Sequence, residues 1–243
     1  MSESAASYQA MPSLSPYVGT DRYDHPKEDH KFIAGQLRHF VDVDRPMRVG
    51  DLGCGNGELI YFLKSQFPLW EYCGFDYTKS FIDTALSFDG LAGVRFVNQD
   101  LFEISENFEI VLCTGVANVF PDVGELLDKL LSVCATGGWV FVDGLFNRHA
   151  VDVRVTFRDN SMPESQGLWR TAFNQHSRET ISAMLRGYVA SFEFVDMVMD
   201  KDLPFDAAKP AVNSFTFRRA DGRNVITNGL NLIVNRTLLV IEN

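Results

Sequence analysis

Three alternating glycines at the end of an apolar run form the part of this sequence best suited to holding a ligand. The run ends in Asp51 and is followed by Gly53, Gly55 and Gly57, ahead of a segment with helical periodicity. Alternating glycines permit a tight turn and let the backbone approach a ligand closely at a helix N-terminus. A dinucleotide-binding loop requires Gly-x-Gly-x-x-Gly, but Glu58 occupies its third glycine position, and the Asp51 carboxylate would repel a pyrophosphate. We therefore expect a ligand that carries an amine or a positive charge near this loop.

Two further aspartates end the next two predicted strands. Asp76 comes about 20 residues after the glycine loop, where a carboxylate can accept hydrogen bonds from both hydroxyl groups of a ribose. Asp100 ends the following strand. Either residue taken alone could instead be a turn or capping aspartate, which is common after strands. Three acids at three successive strand ends, after this glycine loop, favour the ligand-binding interpretation.

These motifs, within residues 47–143 and again in the last predicted strand, resemble the class I S-adenosylmethionine-dependent methyltransferases, whose first motif reads acid-x-Gly-x-Gly-x-Gly. The resemblance implies that Asp51 holds the methionine amino group, Asp76 the ribose and Asp100 the adenine amino group. Tyr77 or Leu101 would pack on the adenine ring. The cofactor-binding residues that the resemblance implies are Asp51, Gly53, Gly55, Asp76, Tyr77, Asp100, Leu101 and Thr114. S-adenosyl-L-methionine is therefore the expected cofactor.

The segment after the fourth predicted strand narrows the reaction class. It reads Asn118-Val119-Phe120-Pro121, whereas methyltransferases of DNA adenine and of protein glutamine carry Asn/Asp-Pro-Pro-aromatic at this place. Asp143 is followed by apolar residues, so the sequence lacks the acid pair that holds magnesium in catechol-type enzymes. We therefore expect neither of those activities, and no metal ion.

The binding site for the methyl acceptor is predicted from residues 144–176, an irregular stretch rich in polar and aromatic residues. His176 and Asn174 are the catalytic candidates, because they stand where this stretch meets a helix that Ser177 is expected to cap. A histidine of ordinary pKa, about 6.5, can take a proton from a hydroxyl at neutral pH; the alternative is a capping or surface histidine. The substrate-binding candidates are Arg148, His149, Trp169 and Arg170. The arginines could bind an anionic substrate or lie on a solvated face.

The elements that must position these residues alternate along the chain. Short apolar runs and helical segments succeed one another over 47–143, which is typical of a parallel sheet built from β-α-β units. The predicted strands are 47–52, 71–75, 94–98, 109–113, 138–142, 192–199, 214–218, 224–227 and 237–241. Asp221-Gly222 predicts a hairpin between two of them. We predict a doubly wound α/β fold with a seven-stranded, mostly parallel sheet. The resemblance to the methyltransferases implies that the last strand of this sheet is antiparallel.

The segments outside this core are assigned to an arm and two insertions. Residues 1–22 are predicted to be a flexible N-terminal arm, and residues 23–243 a single methyltransferase domain. Within that domain, 144–176 is expected to form a cap and 203–230 a second insertion that contains the hairpin. Both are predicted to lie on the substrate side.

The first helix carries two of the five histidines. Asp24 is expected to cap it, with Pro26 in its first turn. His30 and His39 then lie on this helix, and both are expected to be solvated.

Composition excludes several function classes. The chain has 243 residues, 46% of them hydrophobic and 22% charged, and a formal net charge of −10, which disfavours nucleic acid as a partner. No apolar stretch approaches the roughly 20 residues needed to cross a bilayer, and no secretory signal is recognisable, so a cytoplasmic location is expected. The four cysteines, Cys54, Cys73, Cys113 and Cys134, are expected to be reduced core thiols.

The function that these observations favour is methyl transfer from S-adenosylmethionine to an oxygen or nitrogen of a small polar metabolite. The stretch from residue 147 to residue 229 loosely resembles small-molecule methyltransferases of bacterial polysaccharide and nucleotide-sugar gene clusters, which would make the acceptor a sugar or nucleotide-sugar derivative. Two alternatives stay open: an oxidoreductase with a nucleotide cofactor, and a regulatory protein that binds S-adenosylmethionine without catalysis. The oligomeric state is undetermined.

Overall fold

The centre of the structure, a computed structural model that describes residues 21–160, 169–205 and 214–243, is a mixed β-sheet. Its strands are β1 (Arg48–Leu52), β2 (Glu71–Asp76), β3 (Arg95–Asn98), β4 (Phe108–Cys113), β5 (Cys134–Asn147), β8 (His176–Ser177), β9 (Ser191–Asp196) and β12 (Arg236–Glu242). Seven of them follow the order β3-β2-β1-β4-β5-β12-β9, and β8 adds to the end of β5. β1 to β5 run parallel, while β12 runs antiparallel to both β5 and β9. The predicted seven-stranded, mostly parallel sheet with an antiparallel last strand is confirmed.

Helices lie on both faces of this sheet. They are α1 (Asp21–Asp24), α2 (Glu28–Phe40), α3 (Glu58–Gln66), α4 (Lys79–Ser87), α5 (Val123–Ser132) and α6 (Arg178–Leu185). Apolar residues of α2, α3 and α4 pack on one face, whereas those of α5 and α6 pack on the other. The connection from β3 to β4 contains only the short 3-10 turn Leu101–Glu103. The fold is therefore doubly wound.

The sequence of β12 shows why the sheet is buried on both faces. Leu238 and Val240 belong to the apolar cluster on one face, and Leu239 and Ile241 to the cluster on the other. All four are at most 1% exposed. Because successive residues of a strand point to opposite faces, a continuous apolar run indicates a strand covered on both sides.

The helix before β1 begins later than predicted. Lys27, not Asp24, occupies its N-cap position, and Asp24 ends the short helix α1. A proline disfavours helical geometry in the residue before it, so Pro26 separates α1 from α2. The predicted cap of α6 is confirmed, because the Ser177 hydroxyl accepts a hydrogen bond from the Thr180 amide at 3.0 Å.

β5 is much longer than the predicted strand 138–142. Its register with β12 continues to Leu145, which lies opposite Arg236, and its Phe146 pairs with His176 of β8. Partners that are distant in sequence therefore extend β5 beyond its apolar run.

The later segments add two small sheets, each of two strands. They consist of β6 (Thr156–Phe157) with β7 (Arg170–Thr171), and of β10 (Phe215–Arg218) with β11 (Asn224–Thr227). The β10–β11 hairpin turns at Asp221-Gly222 and is confirmed. Parts of both predicted insertions, 161–168 and 206–213, lie outside the described residues.

The predicted arm, residues 1–22, lies almost wholly outside the described residues, which begin with α1. The division into an arm, one domain and two insertions stays a prediction. All four cysteines are free and buried, as expected. Within the described parts of the chain, the helices are too short or too polar to cross a membrane.

Candidate functional site

A cavity of about 210 Å³ lies at the C-terminal ends of β1, β2 and β4. Its lining residues are Arg22, Lys27, His30, Asp51, Gly53, Cys54, Gly55, Asn56, Glu58, Leu59, Asp76, Tyr77, Thr78, Phe81, Thr114, Gly115, Val116 and Val119. Ligands of open parallel α/β sheets bind at this edge, outside the carboxyl ends of the strands. Six of the eight predicted cofactor-binding residues meet here: Asp51, Gly53, Gly55, Asp76, Tyr77 and Thr114.

The glycine loop needs glycine for steric reasons. Gly53 has a φ of +85°, and a Cβ there would lie 2.4 Å from the Val116 side chain. Gly57, the N-cap residue of α3, has a φ of +81°, and a Cβ there would lie 2.8 Å from the Phe96 ring. The Gly53 amide donates to the Phe75 carbonyl at 2.8 Å, which fastens the loop to the end of β2. The predicted tight turn is thus present, and it forms one wall of the cavity.

Asp51 is the most unusual residue of this cavity. Its side chain is 1% exposed, and neither carboxylate oxygen has a hydrogen-bond partner among the described residues. Burial, and after it the charge of Asp76, raises the pKa of Asp51 from 3.8 to about 7. An unpartnered buried carboxylate is costly, and a cationic amine would satisfy it.

Two more lining residues have a buried polar atom without a partner in the described structure: His30 (Nδ1) and Asn56 (Nδ2). Buried polar groups are normally paired, and each unpaired one costs about 1–3 kcal/mol. Their concentration around one cavity, together with Asp51, fits a polar ligand that contains an ammonium group. The residues present therefore fit S-adenosylmethionine.

Asp76 combines a structural and a binding position. Its carboxylate accepts hydrogen bonds from the Gly55 amide at 3.0 Å and from the Thr78 amide at 2.8 Å. Burial nevertheless raises its pKa. Asn98, which the sequence analysis did not single out, donates to the carbonyls of Asp76 and Tyr77 and so holds the end of β2. Each Asp76 oxygen keeps acceptor capacity for a hydroxyl, because a carboxylate has about four lone-pair sites.

Asp100 and Leu101 do not line this cavity. Asp100 accepts a hydrogen bond from the Phe102 amide at 3.0 Å and caps the 3-10 turn that follows β3. Leu101 is 9% exposed and belongs to the apolar core. Asp100 thus makes the contact that the capping alternative expects, and the contacts of Asp100 and Leu101 with adenine stay predictions.

One wall of the cavity was missed by the sequence analysis. Arg22, Lys27 and His30 line it from α1, α2 and the turn between them. The expectation that His30 is solvated is wrong, since it is 6% exposed and burial lowers its pKa to about 4. The spacing of His30 from the buried Ile33 and Leu37 is that of a single helix face, and this signal could have revealed its burial.

The loop after β4 forms another wall of the cavity, and Asn174 holds this loop in place. Asn174 is fully buried; its side-chain amide donates to the Phe120 carbonyl at 3.0 Å and to the Val119 carbonyl at 3.3 Å. Its side-chain oxygen accepts from the Val155 amide at 3.0 Å, and its own amide donates to the Asn118 carbonyl at 2.8 Å. Asn174 thereby joins the insertion to the cavity wall.

His176 contacts the same loop, the one that follows β4. It is 5% exposed, and its Nε2 lies 3.3 Å from the Ala117 carbonyl oxygen. Burial lowers its pKa. Neither His176 nor Asn174 lines the cavity. This geometry favours a positioning role for both over the catalytic role predicted from the sequence.

The four substrate-binding candidates are spread over the surface and the core. Arg148 is exposed and pairs with Asp196 at 2.5 Å, and His149 is exposed. Trp169 is 63% exposed, whereas Arg170 is 9% exposed and lies in β7. None of them lines the cavity described above. In the described parts of the chain, no three His, Cys, Asp or Glu side chains lie close enough together to hold a metal ion.

Comparison with known proteins supports the fold and the cofactor. The sequence model of a family described as a methyltransferase domain matches residues 51–140. Trans-aconitate 2-methyltransferase of Deinococcus radiodurans is 28% identical over 118 residues, which are 49% of this chain and 45% of that protein. The chain thus spans less than half the length of the curated relatives it matches.

Two solved structures with cofactor or product bound have the same architecture. Magnesium protoporphyrin IX methyltransferase from Synechocystis, with S-adenosylmethionine bound, aligns with a TM-score of 0.53 at 15% identity, covering 89% of this chain and 79% of that one. The plantazolicin methyltransferase, in complex with S-adenosylhomocysteine, aligns with a TM-score of 0.55 at 15% identity, covering 99% of this chain and 94% of that one. The predicted class I methyltransferase fold is confirmed, and residues 51–140 match the methyltransferase family model.

Proposed function

We propose that the protein transfers a methyl group from S-adenosylmethionine to an oxygen or nitrogen of a small polar metabolite, with sugar and nucleotide-sugar derivatives among the candidate acceptors. The observation that carries this proposal is the unpartnered carboxylate of Asp51 beside the glycine loop. A buried acid there fits the ammonium of a methionine group and disfavours the pyrophosphate of a dinucleotide. The cytoplasm is the proposed location.

The residues of the cavity would bind and orient the cofactor. Asp51 neutralises the ammonium, Asp76 accepts from the ribose hydroxyls, and the backbone of Gly53 and Gly55 approaches closely because no Cβ intervenes. Arg22 lines the same cavity and supplies a cation for the carboxylate of the methionine group. When bound, S-adenosylmethionine supplies a methyl group on a positively charged sulfur.

The protein's part in the reaction is mainly alignment. In a methyl displacement, the residues of the site would hold the acceptor's lone pair in line with the methyl group that the cofactor would supply. Such a displacement gains most of its rate from the alignment of the reacting atoms. A proton must leave a hydroxyl acceptor, and His176 was predicted to take it. Its contact with the Ala117 carbonyl supports instead a role in holding the loop after β4.

Calorimetric titration separates this proposal from the oxidoreductase alternative. We expect the protein to bind S-adenosylmethionine and not NAD, because the third glycine of the dinucleotide loop is replaced by Glu58 and Asp51 opposes a diphosphate. Binding of NAD with no heat from S-adenosylmethionine would overturn the proposal.

Product formation separates an enzyme from a regulatory protein that only binds the cofactor. The protein is incubated with methyl-labelled S-adenosylmethionine and a metabolite extract, and labelled products are identified by mass spectrometry. A labelled small molecule is expected. Cofactor binding with no labelled product from any extract would favour the regulatory alternative.

A further inference from the structure

A second, larger cavity lies at the same edge of the sheet. Its volume is about 810 Å³, and it is bounded by the end of β9, the start of β12 and the β10–β11 hairpin. Its charged lining residues are five arginines, Arg148, Arg218, Arg219, Arg223 and Arg236, and two aspartates, Asp196 and Asp200. The whole chain has 32 acidic and 22 basic residues. Basic residues therefore outnumber acidic ones in this lining, whereas acidic residues are in excess in the chain as a whole.

Two of these arginines have no ion pair in the described structure. Arg148 pairs with Asp196, Arg219 lies 3.8 Å from Asp221, and Arg236 is held by two aspartates. Arg218 and Arg223 make no such contact with a described carboxylate, and both are exposed. A guanidinium without a partner is a ready donor for a carboxylate or phosphate, which it can bind through two parallel hydrogen bonds.

The cavity also offers apolar surface. Met197, Val198, Ile226, Ile233 and Val234 line it beside the arginines. Val198 is 75% exposed and Ile233 is 55% exposed. Exposed apolar side chains next to unpaired cations suit a ligand that combines an anionic group with an apolar body.

The Arg236–Asp143 ion pair connects this cavity with the cofactor cavity. Arg236 lines the larger cavity, and its guanidinium contacts Asp143 of β5. The backbone amide of Gly115, which lines the cofactor cavity, is close enough to the Asp143 carboxylate to influence its pKa. The two cavities are thus adjacent along one edge of the sheet, as the cofactor and acceptor sites of a transferase must be.

We propose that the arginine-lined cavity binds an organic anion, a carboxylate or phosphate on an apolar body, and that this anion is the methyl acceptor. The second half of this statement rests on the proposed function. The first half, a site for organic anions, stands on the cavity alone.

Ligand titration tests the site without any methyl transfer. The probes are 4-phenylbutyrate, phenyl phosphate and the uncharged 4-phenylbutanol, titrated calorimetrically into the full-length protein. The variant Arg218→Ala/Arg223→Ala removes the two unpaired cations. The matched control, Arg154→Ala/Arg186→Ala, removes two exposed arginines that do not line the cavity.

We expect at least one of the two anions to bind more tightly than the alcohol, and to lose about tenfold in affinity in the cavity variant but not in the control. Binding should also weaken with added salt. Which anion binds better tells whether the site prefers carboxylate or phosphate. Equal affinity for acid and alcohol, an unchanged affinity in the cavity variant, or no binding of any probe would overturn the proposal.

Titration of the same variants with S-adenosylmethionine distinguishes a failure of the anion-site proposal from a failure of the proposed function. Both double variants should keep wild-type cofactor affinity, because none of the four arginines lines the cofactor cavity. If anions bind and S-adenosylmethionine does not, the proposed function fails while the anion site stands. If labelled products form but neutral metabolites alone are methylated, the acceptor assignment fails.

Discussion

Asp51 should make cofactor binding depend on pH. Because burial raises its pKa to about 7, this carboxyl is mostly protonated in the cofactor-free protein at pH 6. An ammonium group can pair with it only after the proton leaves. The affinity for S-adenosylmethionine should therefore fall by about tenfold for each pH unit below about 7, and level off above it.

The variant Asp51→Asn should lose this dependence, because an amide does not titrate in this range. Calorimetric titration from about pH 5.5 to 8, in two buffers with different ionisation enthalpies, measures both the affinity and the protons released on binding. Asp100→Asn is the matched control, since it removes another strand-end carboxylate that does not line the cavity. A wild-type affinity that is flat with pH, or a slope that survives in Asp51→Asn, would refute the pairing of Asp51 with the ammonium.

The same pKa predicts the stability of the cofactor-free protein. An acid whose pKa rises on folding contributes stability that is fully present below its unfolded pKa and is lost as pH rises through its folded pKa. For Asp51 this interval runs from 3.8 to about 7, which corresponds to about 4 kcal/mol. Urea unfolding should show Asp51→Asn to be more stable than wild type at pH 8 and equal to it near pH 4. Lower stability of this variant at pH 8 would contradict the reasoning.

Three further variants test the remaining site residues. Asp76→Ala should weaken S-adenosylmethionine binding by tens of fold in a folded protein, because it leaves ribose hydroxyls unpaired at a cost of about 2–3 kcal/mol; unchanged affinity by titration would remove Asp76 from the binding site. Asn174→Ala should lower the free energy of unfolding by about 2–4 kcal/mol, because it unpairs buried backbone groups of the loop after β4. A loss below about 0.5 kcal/mol in urea unfolding would contradict the role of Asn174 in holding this loop. If His176 positions the loop, His176→Ala should lower both turnover and stability. If His176 is instead a general base, the same variant should lower turnover by about a hundredfold to ten-thousandfold and leave stability intact. His176→Asn can still donate to the Ala117 carbonyl, so it should restore most of the loss only if His176 positions the loop.

The sequence by itself determined the sheet and the glycine loop, because both depend on residues close together in the chain. A short apolar run such as Leu238 to Ile241 is typical of a strand covered on both faces, whatever covers it. The alternating glycines after Asp51 adopt positive φ angles, which residues with a Cβ rarely do, and a Cβ at Gly53 or Gly57 would also clash with a neighbouring side chain. The Asp221-Gly222 turn likewise fixed its hairpin locally.

The roles of single polar residues were decided by the tertiary structure. Asp76 and Asp100 look alike in sequence, since each lies at or just after the end of a strand, yet only Asp76 lines the cavity. His176 looked like a base at the mouth of an insertion, and its ring lies instead against the Ala117 carbonyl, 59 positions away. Arg236 meets Asp29 across 207 positions. Contacts of such separation leave no trace in local periodicity or spacing, because they arise only when the sheet brings distant strand ends to one edge.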